Sequence, residues 1–199
     1  MTTTTVPLFP LNLVLFPGGV LPLRIFEPRY LTMIGECMKN GRPFGVVLSA
    51  GTGQSDGARR FHTVGTLAQI EDFDQLEDGF LGVTCRGTAR FNVQEHRLQD
   101  DQLILADVEI IETTDSEIDE GLPVNIEKMT IFLRNLCEQA DLKDWASTLR
   151  PDWESQDWLS CRLSELLPLS IESRQALLEM SHFRRLSHLS KVMQENKMI

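Results

Sequence analysis

Four histidines, four cysteines and a few paired acids are the residues of this chain whose types could do chemistry. Their spacing argues against most of it. A zinc site on a helix needs two imidazoles one turn apart. His62, His96, His182 and His188 contain no such pair and no H-E-x-x-H; His182 and His188, six apart, fall on different faces of a helix. Cys37, Cys85, Cys137 and Cys161 are widely separated and form no C-x-x-C pair. Three of them fall in apolar patterns, so they read as buried, reduced thiols of a cytosolic protein. Cys85 sits in a strand-like run with no histidine near it in sequence, which leaves only a Cys/His site assembled in space. Glu71-Asp72 and Asp100-Asp101 read as solvated turns or strand ends rather than as a general acid and base. No G-x-S-x-G elbow and no G-x-x-x-x-G-K-[ST] phosphate loop occurs. The expectation is a protein without catalytic residues, metal or cofactor.

Composition narrows the partners. The chain of 199 residues is 42% hydrophobic and 24% charged, ordinary for a folded soluble protein and long enough to bury a core without disulfides or metal. Its net charge of −10 is uneven: residues 1–120 carry 9 Lys+Arg against 18 Asp+Glu. Such a half repels phosphate backbones, so nucleic acid is not an expected partner. The most basic stretch, Arg184-Arg185 to Lys191, reads as a solvated helix face near a C-terminus. The apolar start, residues 6–26, is broken by Pro7, Pro10, Pro17 and Pro22, contains Arg24 and has no basic leader. It reads as neither membrane span nor signal peptide, and a cytoplasmic location is expected.

The elements that must position these residues have two textures. Up to about residue 118 the chain alternates in short, glycine-punctuated runs; from Pro123 onward it is helical, with a polar connector over 112–121. The threonines at the N-terminus are a fraying tail or the lead-in to a strand. Residues 20–26 read as a strand, and Pro22 demotes it to an edge or marks a bulge. Pro28 suits the first position of a helix, with Glu27 where an anion helps, Leu31, Ile34, Cys37 and Met38 as its apolar stripe, and Asn40-Gly41 as its left-handed end. Strands are expected over 44–48, 65–73, 80–87, 90–94 and 103–111, with a loop over 50–60 and a hairpin turn at Asp78-Gly79. In the second half, Met129, Phe132, Leu133, Leu136, Cys137 and Ala140 share one helical face, and 141–149 makes a short helix. Ser155, Ser170 and Ser181 cap three further helices. The expected class is α+β: a twisted, mostly antiparallel β pseudo-barrel with one early helix over 1–118, then a helical bundle over 119–199.

The run Pro7-Leu8-Phe9-Pro10-Leu11, then Val14-Leu15-Phe16-Pro17-Gly18, then Leu21-Pro22-Leu23-Arg24-Ile25-Phe26-Glu27-Pro28-Arg29-Tyr30 resembles the opening of the Lon protease N-terminal domain, most closely in its stand-alone bacterial form. Phe44-Gly45-Val46, the stretch from Gly82-Val83 to Gly87-Thr88-Ala89-Arg90-Phe91, Leu167-Pro168 and Arg174-Gln175-Ala176-Leu177-Leu178-Glu179 are similar to later parts of that family. The resemblance covers nearly the whole chain. It implies a β subdomain related to PUA-like pseudo-barrels, followed by a helical bundle. In full-length Lon-type proteases this region recognises substrates and helps assembly ahead of ATPase and Ser-Lys protease modules; a chain ending at Ile199 is expected to carry neither.

The motif residues themselves read as structural. Pro17-Gly18-Gly19 makes a tight turn, Pro28 starts a helix, Arg24 and Arg29 are both within reach of Glu27, and Tyr30 packs with its hydroxyl on a backbone carbonyl. The leading expectation is a non-catalytic module that binds unfolded or partner polypeptides, with self-association as a further expectation. Its candidate contacts are Phe73, Leu76 and Phe80 around the 74–79 turn and Phe16 beside the Pro-Gly turn; the competing reading places all four in the core. An uncovered strand edge is a second route to a peptide. RNA binding by a PUA-like fold and a small-molecule enzyme using the cleft between the two subdomains are the alternatives.

Overall fold

The computed structural model describes residues 3–50, 61–77, 79–112 and 125–199. The expected loop over 50–60 (beyond residue 50), the residue Asp78 of the hairpin turn, the connector over 112–121 (beyond residue 112), the 118/119 boundary and the helix start at Pro123 lie outside the described residues. The chain forms two compact units, Met1–Glu112 and Thr113–Ile199.

The first unit is a mixed six-stranded sheet with one helix. Its strands are β1 (Thr3–Leu11), β2 (Val20–Ile25), β3 (Phe44–Ser49), β4 (Phe61–Gln75), β5 (Leu81–Leu98) and β6 (Ile104–Ile110), with α1 (Pro28–Asn40) between β2 and β3. The order is β2-β5-β4-β3-β1-β6, and β6 returns to pair with β5. β1 and β3 run parallel; every other pairing is antiparallel. The N-terminal threonines are the start of β1, where Thr3 pairs with Glu109. The runs over 80–87 and 90–94, expected as two strands, are one. Gly87-Thr88-Ala89 does not break β5, because its neighbours on both sides hold it.

β5 is the spine. Along one edge it pairs with β4 from Asn92 to Leu81. Along the other, Leu81–Arg86 carry β2 and Phe91–Leu98 carry β6. The gap between those two partners is filled by the Pro17-Gly18 turn. Gly19 N donates to Phe16 O (3.0 Å) around that turn, and Gly18 has φ of +78°. Gly18 N donates to Gly87 O and Gly87 N donates to Gly19 O, both at 2.8 Å. A Cβ on Gly87 would stand 2.4 Å from the Phe16 carbonyl oxygen, so only glycine admits the turn here. Arg86 adds a hydrogen bond from Nη1 to Gly18 O (3.0 Å) and an ion pair with Glu71 (2.8 Å).

Alternation along the strands buries two clusters. One lies under α1 and includes Phe9, Leu15, Leu21, Ile25, Phe44, Val83 and Cys85. The other gathers Val6, Leu8, Phe91, Val93, Ala106 and Val108. α1 ends at Gly41 in the left-handed conformation, with Arg42 N donating to Cys37 O (3.0 Å). Its stripe corrects the expectation by one position. Tyr30, Met33, Ile34 and Cys37 are buried, Met38 is half-buried and Leu31 is exposed. Tyr30 takes the inward place because its ring stacks on Phe9 (centroids 4.0 Å).

The second unit contains α2 (Ile126–Cys137), a 3₁₀ turn (Ala140–Leu142), α3 (Lys143–Thr148), α4 (Gln156–Leu166), α5 (Ile171–Glu179) and α6 (His182–Glu195). Met129 and Leu133 are buried on α2; Ala140 lies past its end and is exposed. Ser155 accepts from Trp158 N (3.1 Å) and Ser170 from Ser173 N (3.2 Å), as N-caps do. Ser181 stands at the cap position of α6, but its side chain makes no capping hydrogen bond. α4 packs against α2, α5 and α6.

Arg185 overturns the reading of the 184–191 stretch as a solvated face. It is fully buried while Arg184 is exposed. Its Nε donates to Leu177 O (2.8 Å) and its Nη2 to Met180 O (3.1 Å), carbonyls at the end of α5. Its Nη1 meets Ser160 Oγ (2.9 Å), Cys161 Sγ (3.2 Å) and Asp157 Oδ1 (3.1 Å) on α4. One guanidinium thus ties three helices, and its geometry fits those acceptors as a flexible ammonium would not. Arg185→Ala removes the buried cation that pairs with Asp157 and donates to both α5 carbonyls, and is expected to cost about 3–5 kcal/mol, whereas Arg184→Ala stays within about 0.5 kcal/mol. Urea unfolding followed by tryptophan fluorescence reads both, since Trp145, Trp153 and Trp158 all lie in this unit. Nearby, burial pushes the Glu165 carboxyl up to about 7, opposed by Arg162 and Arg174. A folded-state value above the unfolded one favours folding at low pH and is lost as pH rises through about 7. Glu165→Gln should therefore match wild-type stability near pH 5 and exceed it above pH 7, measured by urea unfolding at each pH.

Candidate functional site

The thiols and imidazoles do not converge on a reaction centre. Burial pushes the Cys85 thiol up to about 12 and the Cys37 thiol up to about 11, which keeps both protonated at neutral pH and poor as nucleophiles. Burial does the same to Cys161, also to about 11. His96 sets its ring edge against Phe61 (5.2 Å), and His182 is buried beside Phe183 (4.1 Å). Among the described residues no three His, Cys, Asp or Glu side chains are grouped to hold a metal ion. No helix of the described residues is long and apolar enough to cross a membrane.

The surface that does converge is the outward face of β2, β5 and β4, at the end where β4 turns into β5. The turn is closed by Leu76 N donating to Phe80 O (2.9 Å) and Gly79 N donating to Leu76 O (2.8 Å), with Gly79 at φ of +83°. Because side chains alternate along a strand, Pro22, Arg24 and Phe26 share one face with Thr84, Gly82 and Phe80 and with Asp72, Asp74 and Leu76. The ladder aligns Arg24, Gly82 and Asp74 in one row and Pro22, Thr84 and Asp72 in the next. Beyond them, at the tip, stand Phe26, Phe80 and Leu76. The Phe26 and Phe80 rings meet edge to face (6.3 Å), and the Arg24 guanidinium lies 4.5 Å over the Phe80 ring.

The middle row leaves a hollow. Gly82 carries no side chain, and a Cβ there would reach 2.9 Å from Leu76 Cδ2, so Leu76 leans over the space. Residues 22–24, 72–74 and 82–84, with Leu76, wall a groove of about 310 Å³ that is open to solvent. Of its lining Leu76 is 36% exposed; beside the groove, at the tip, Phe26 is 62% and Phe80 38% exposed. Of the side chains offered from the sequence, Leu76 and Phe80 are therefore brought together. Phe73 is exposed and also contributes to the groove lining, although on β4 it stands across from the buried Val83 rather than in the row of Asp72 and Asp74. Phe16 is fully buried, a correction to its place among the contacts: the turn beside it is pinned to β5, so its side chain points into the core.

Phe26 was not among those candidates, although its two-residue spacing from the outward Pro22 and Arg24 carries the signal. The remaining motif residues hold the local structure. Pro28 opens α1, Arg29 pairs with Glu27 (2.7 Å) and lies over the Tyr30 ring (4.7 Å), and Arg29 Nη1 donates to Gln102 O (3.1 Å).

Residues 5–195 match the substrate-binding domain of the ATP-dependent protease La (LON), and the chain belongs to that family. It is similar to the Lon protease of Anaeromyxobacter dehalogenans, 28% identical over 87% of this chain and 21% of that one, and to Lon protease 2 of Myxococcus xanthus, 29% identical over the same shares. The chain spans about a fifth of the length of these relatives. Among solved structures it resembles a Lon N-terminal domain protein from Xanthomonas campestris, at TM-score 0.72 and 37% identity over 94% of this chain and 96% of that one. The fold is shared with the N-terminal domain of a Mycobacterium avium complex Lon protease, at TM-score 0.67 and 14% identity over 94% and 96%.

The burial contrast makes a direct check. Phe16→Ala is expected to cost about 3–5 kcal/mol, as large core truncations do; Phe26→Ala, at 62% exposure, stays below about 1 kcal/mol, and Phe80→Ala, at 38% exposure and partly covered by Arg24 and Phe26, falls between the two. Chemical denaturation of the three variants measures it.

Proposed function

We propose that this protein is a non-catalytic polypeptide-binding module, and that the face carrying Phe26, Leu76 and Phe80 is where it holds an extended, unfolded segment. The single observation that carries the reading is the exposed apolar row beside a groove floored by glycine: rings and an aliphatic side chain left in water over a ready-made hollow are what an apolar side chain of a partner would bury against. Membership of a substrate-binding family supports the same reading. β2 adds a second feature. It pairs only with β5 among the described strands and leaves an outer edge beside the groove, though Pro22 removes one donor from it.

On this reading the first subdomain, over 1–118, is a PUA-like pseudo-barrel, supported by the cycle of pairings from β5 through β4, β3, β1 and β6 back to β5. Residues 119–199 form a helical bundle around α4. The described cysteines are all free thiols, in keeping with a reducing cytoplasm. The carboxylates on the groove speak for protein rather than RNA as the partner.

Purified protein should bind a reduced, permanently unfolded polypeptide and ignore the same polypeptide when folded. Leu76→Ser with Phe80→Ser should weaken that binding at least tenfold while leaving the circular dichroism spectrum that of a folded protein. Equal binding by the double variant would move the surface elsewhere; no binding by wild type at high micromolar concentration would remove the reading.

A further inference from the structure

We propose that the groove is selective for charge: it prefers extended segments in which an apolar side chain is followed, two residues along, by lysine or arginine. This rests on the polypeptide-binding reading and specifies its substrate class. The spacing comes from the ladder. Successive rows on one face of a strand are about 6.6 Å apart, twice the rise per residue. A segment running along β5 with an apolar side chain against Phe80 and Leu76 places residue i+2 in the row of Gly82, beside Asp74, and residue i+4 beside Asp72.

Those two carboxylates are available. Asp72 Oδ1 accepts from Phe73 N (2.9 Å) and Asp74 Oδ1 from Gln75 N (2.7 Å), each the next amide along the chain. Among the described residues neither takes part in an ion pair. The adjacent Glu71 differs, being paired with Arg86. Glu77, exposed at the turn, adds a third negative charge to the β4 side. Arg24 lines the β2 side of the same groove, in the row of Gly82 and Asp74, with its guanidinium over Phe80; against Asp72 and Asp74 it leaves the lining with more negative than positive charge. The groove is thus apolar at the tip, where Leu76 overhangs Gly82, and anionic on its β4 wall, and the matching ligand is apolar with a cation at i+2.

The test uses three short synthetic peptides with leucine at i, serine at i+1 and i+3, and lysine, glutamine or glutamate at both i+2 and i+4, bound to the intact protein and read by fluorescence anisotropy at low and high salt. Two exposed ion pairs predict affinity falling from the lysine to the glutamine to the glutamate peptide by about threefold to tenfold per step, with the steps shrinking at high salt. The double variant Asp72→Asn, Asp74→Asn keeps the local amide contacts, because the Asn carbonyl accepts the same bonds, and should bring the lysine peptide down to the level of the glutamine peptide. Equal binding of lysine and glutamine peptides by wild type overturns the charge selection and leaves the polypeptide-binding reading standing. A lysine preference that survives in the double variant also overturns it, by tracing the effect to the overall negative charge. Failure of all three peptides to bind overturns both. Concentration-dependent dimerisation abolished by Leu76→Ser would give the groove to a second copy of the chain and overturn the proposal.

Discussion

The close approach of the Phe16 carbonyl to Gly87 is the constraint on which the first unit depends. β5 has to carry β2 and β6 in succession along one edge while β4 occupies the other, and the chain between those two partners cannot be left with unmet backbone groups. The Pro17-Gly18 turn meets them, with one hydrogen bond in each direction at Gly87. Any side chain at residue 87 would push the turn away by the width of a methyl group. With the turn displaced, β2 would lose its anchor, and the outward row it contributes to the groove would lose its register with Gly82 and Asp74. The groove is thus held by backbone geometry at Gly87, away from the side chains that line it.

The second unit depends on a different device. Leucines and methionines cover α4, yet its position between α5 and α6 is specified by a charged group. Arg185 donates to the carbonyls of Leu177 and Met180 at the end of α5 and reaches the first turns of α4 at the same time. A fully apolar contact would pack equally well in several rotations; five directed hydrogen bonds admit one.

What could be read from the sequence follows from where the deciding interaction lies. The Pro17-Gly18 turn, the start of α1 at Pro28, its end at Gly41, and the caps at Ser155 and Ser170 rest on contacts within a few residues, so residue type and order reveal them. Arg185 looks like its neighbour Arg184 in a string of letters, and only the folded chain distinguishes the one that meets α5 carbonyls from the one in water. The continuity of β5 through Gly87-Thr88-Ala89 was hidden for the same reason, since its partner there is a turn nearly seventy residues away. At the groove, Leu76 and Phe80 were legible because they flank a turn. Phe26 was masked by the motif around it, whose neighbours Glu27, Pro28 and Arg29 build the helix start. Phe16 was misjudged because a residue beside a tight turn is usually exposed, and here the turn itself is docked.

The pairing of β1 with β6 matters also for how the chain emerges from the ribosome. Thr3 finds its partner only when Glu109 has been made, and β3, on the other side of β1, comes between the two. For most of that interval the first strand synthesised is an apolar ribbon with an open edge, the kind of segment that sticks to its neighbours in a crowded polysome. Pro7 and Pro10 each remove a donor from it and stiffen the chain. The two prolines that interrupt the apolar run of β1 are therefore the residues that guard it during the wait.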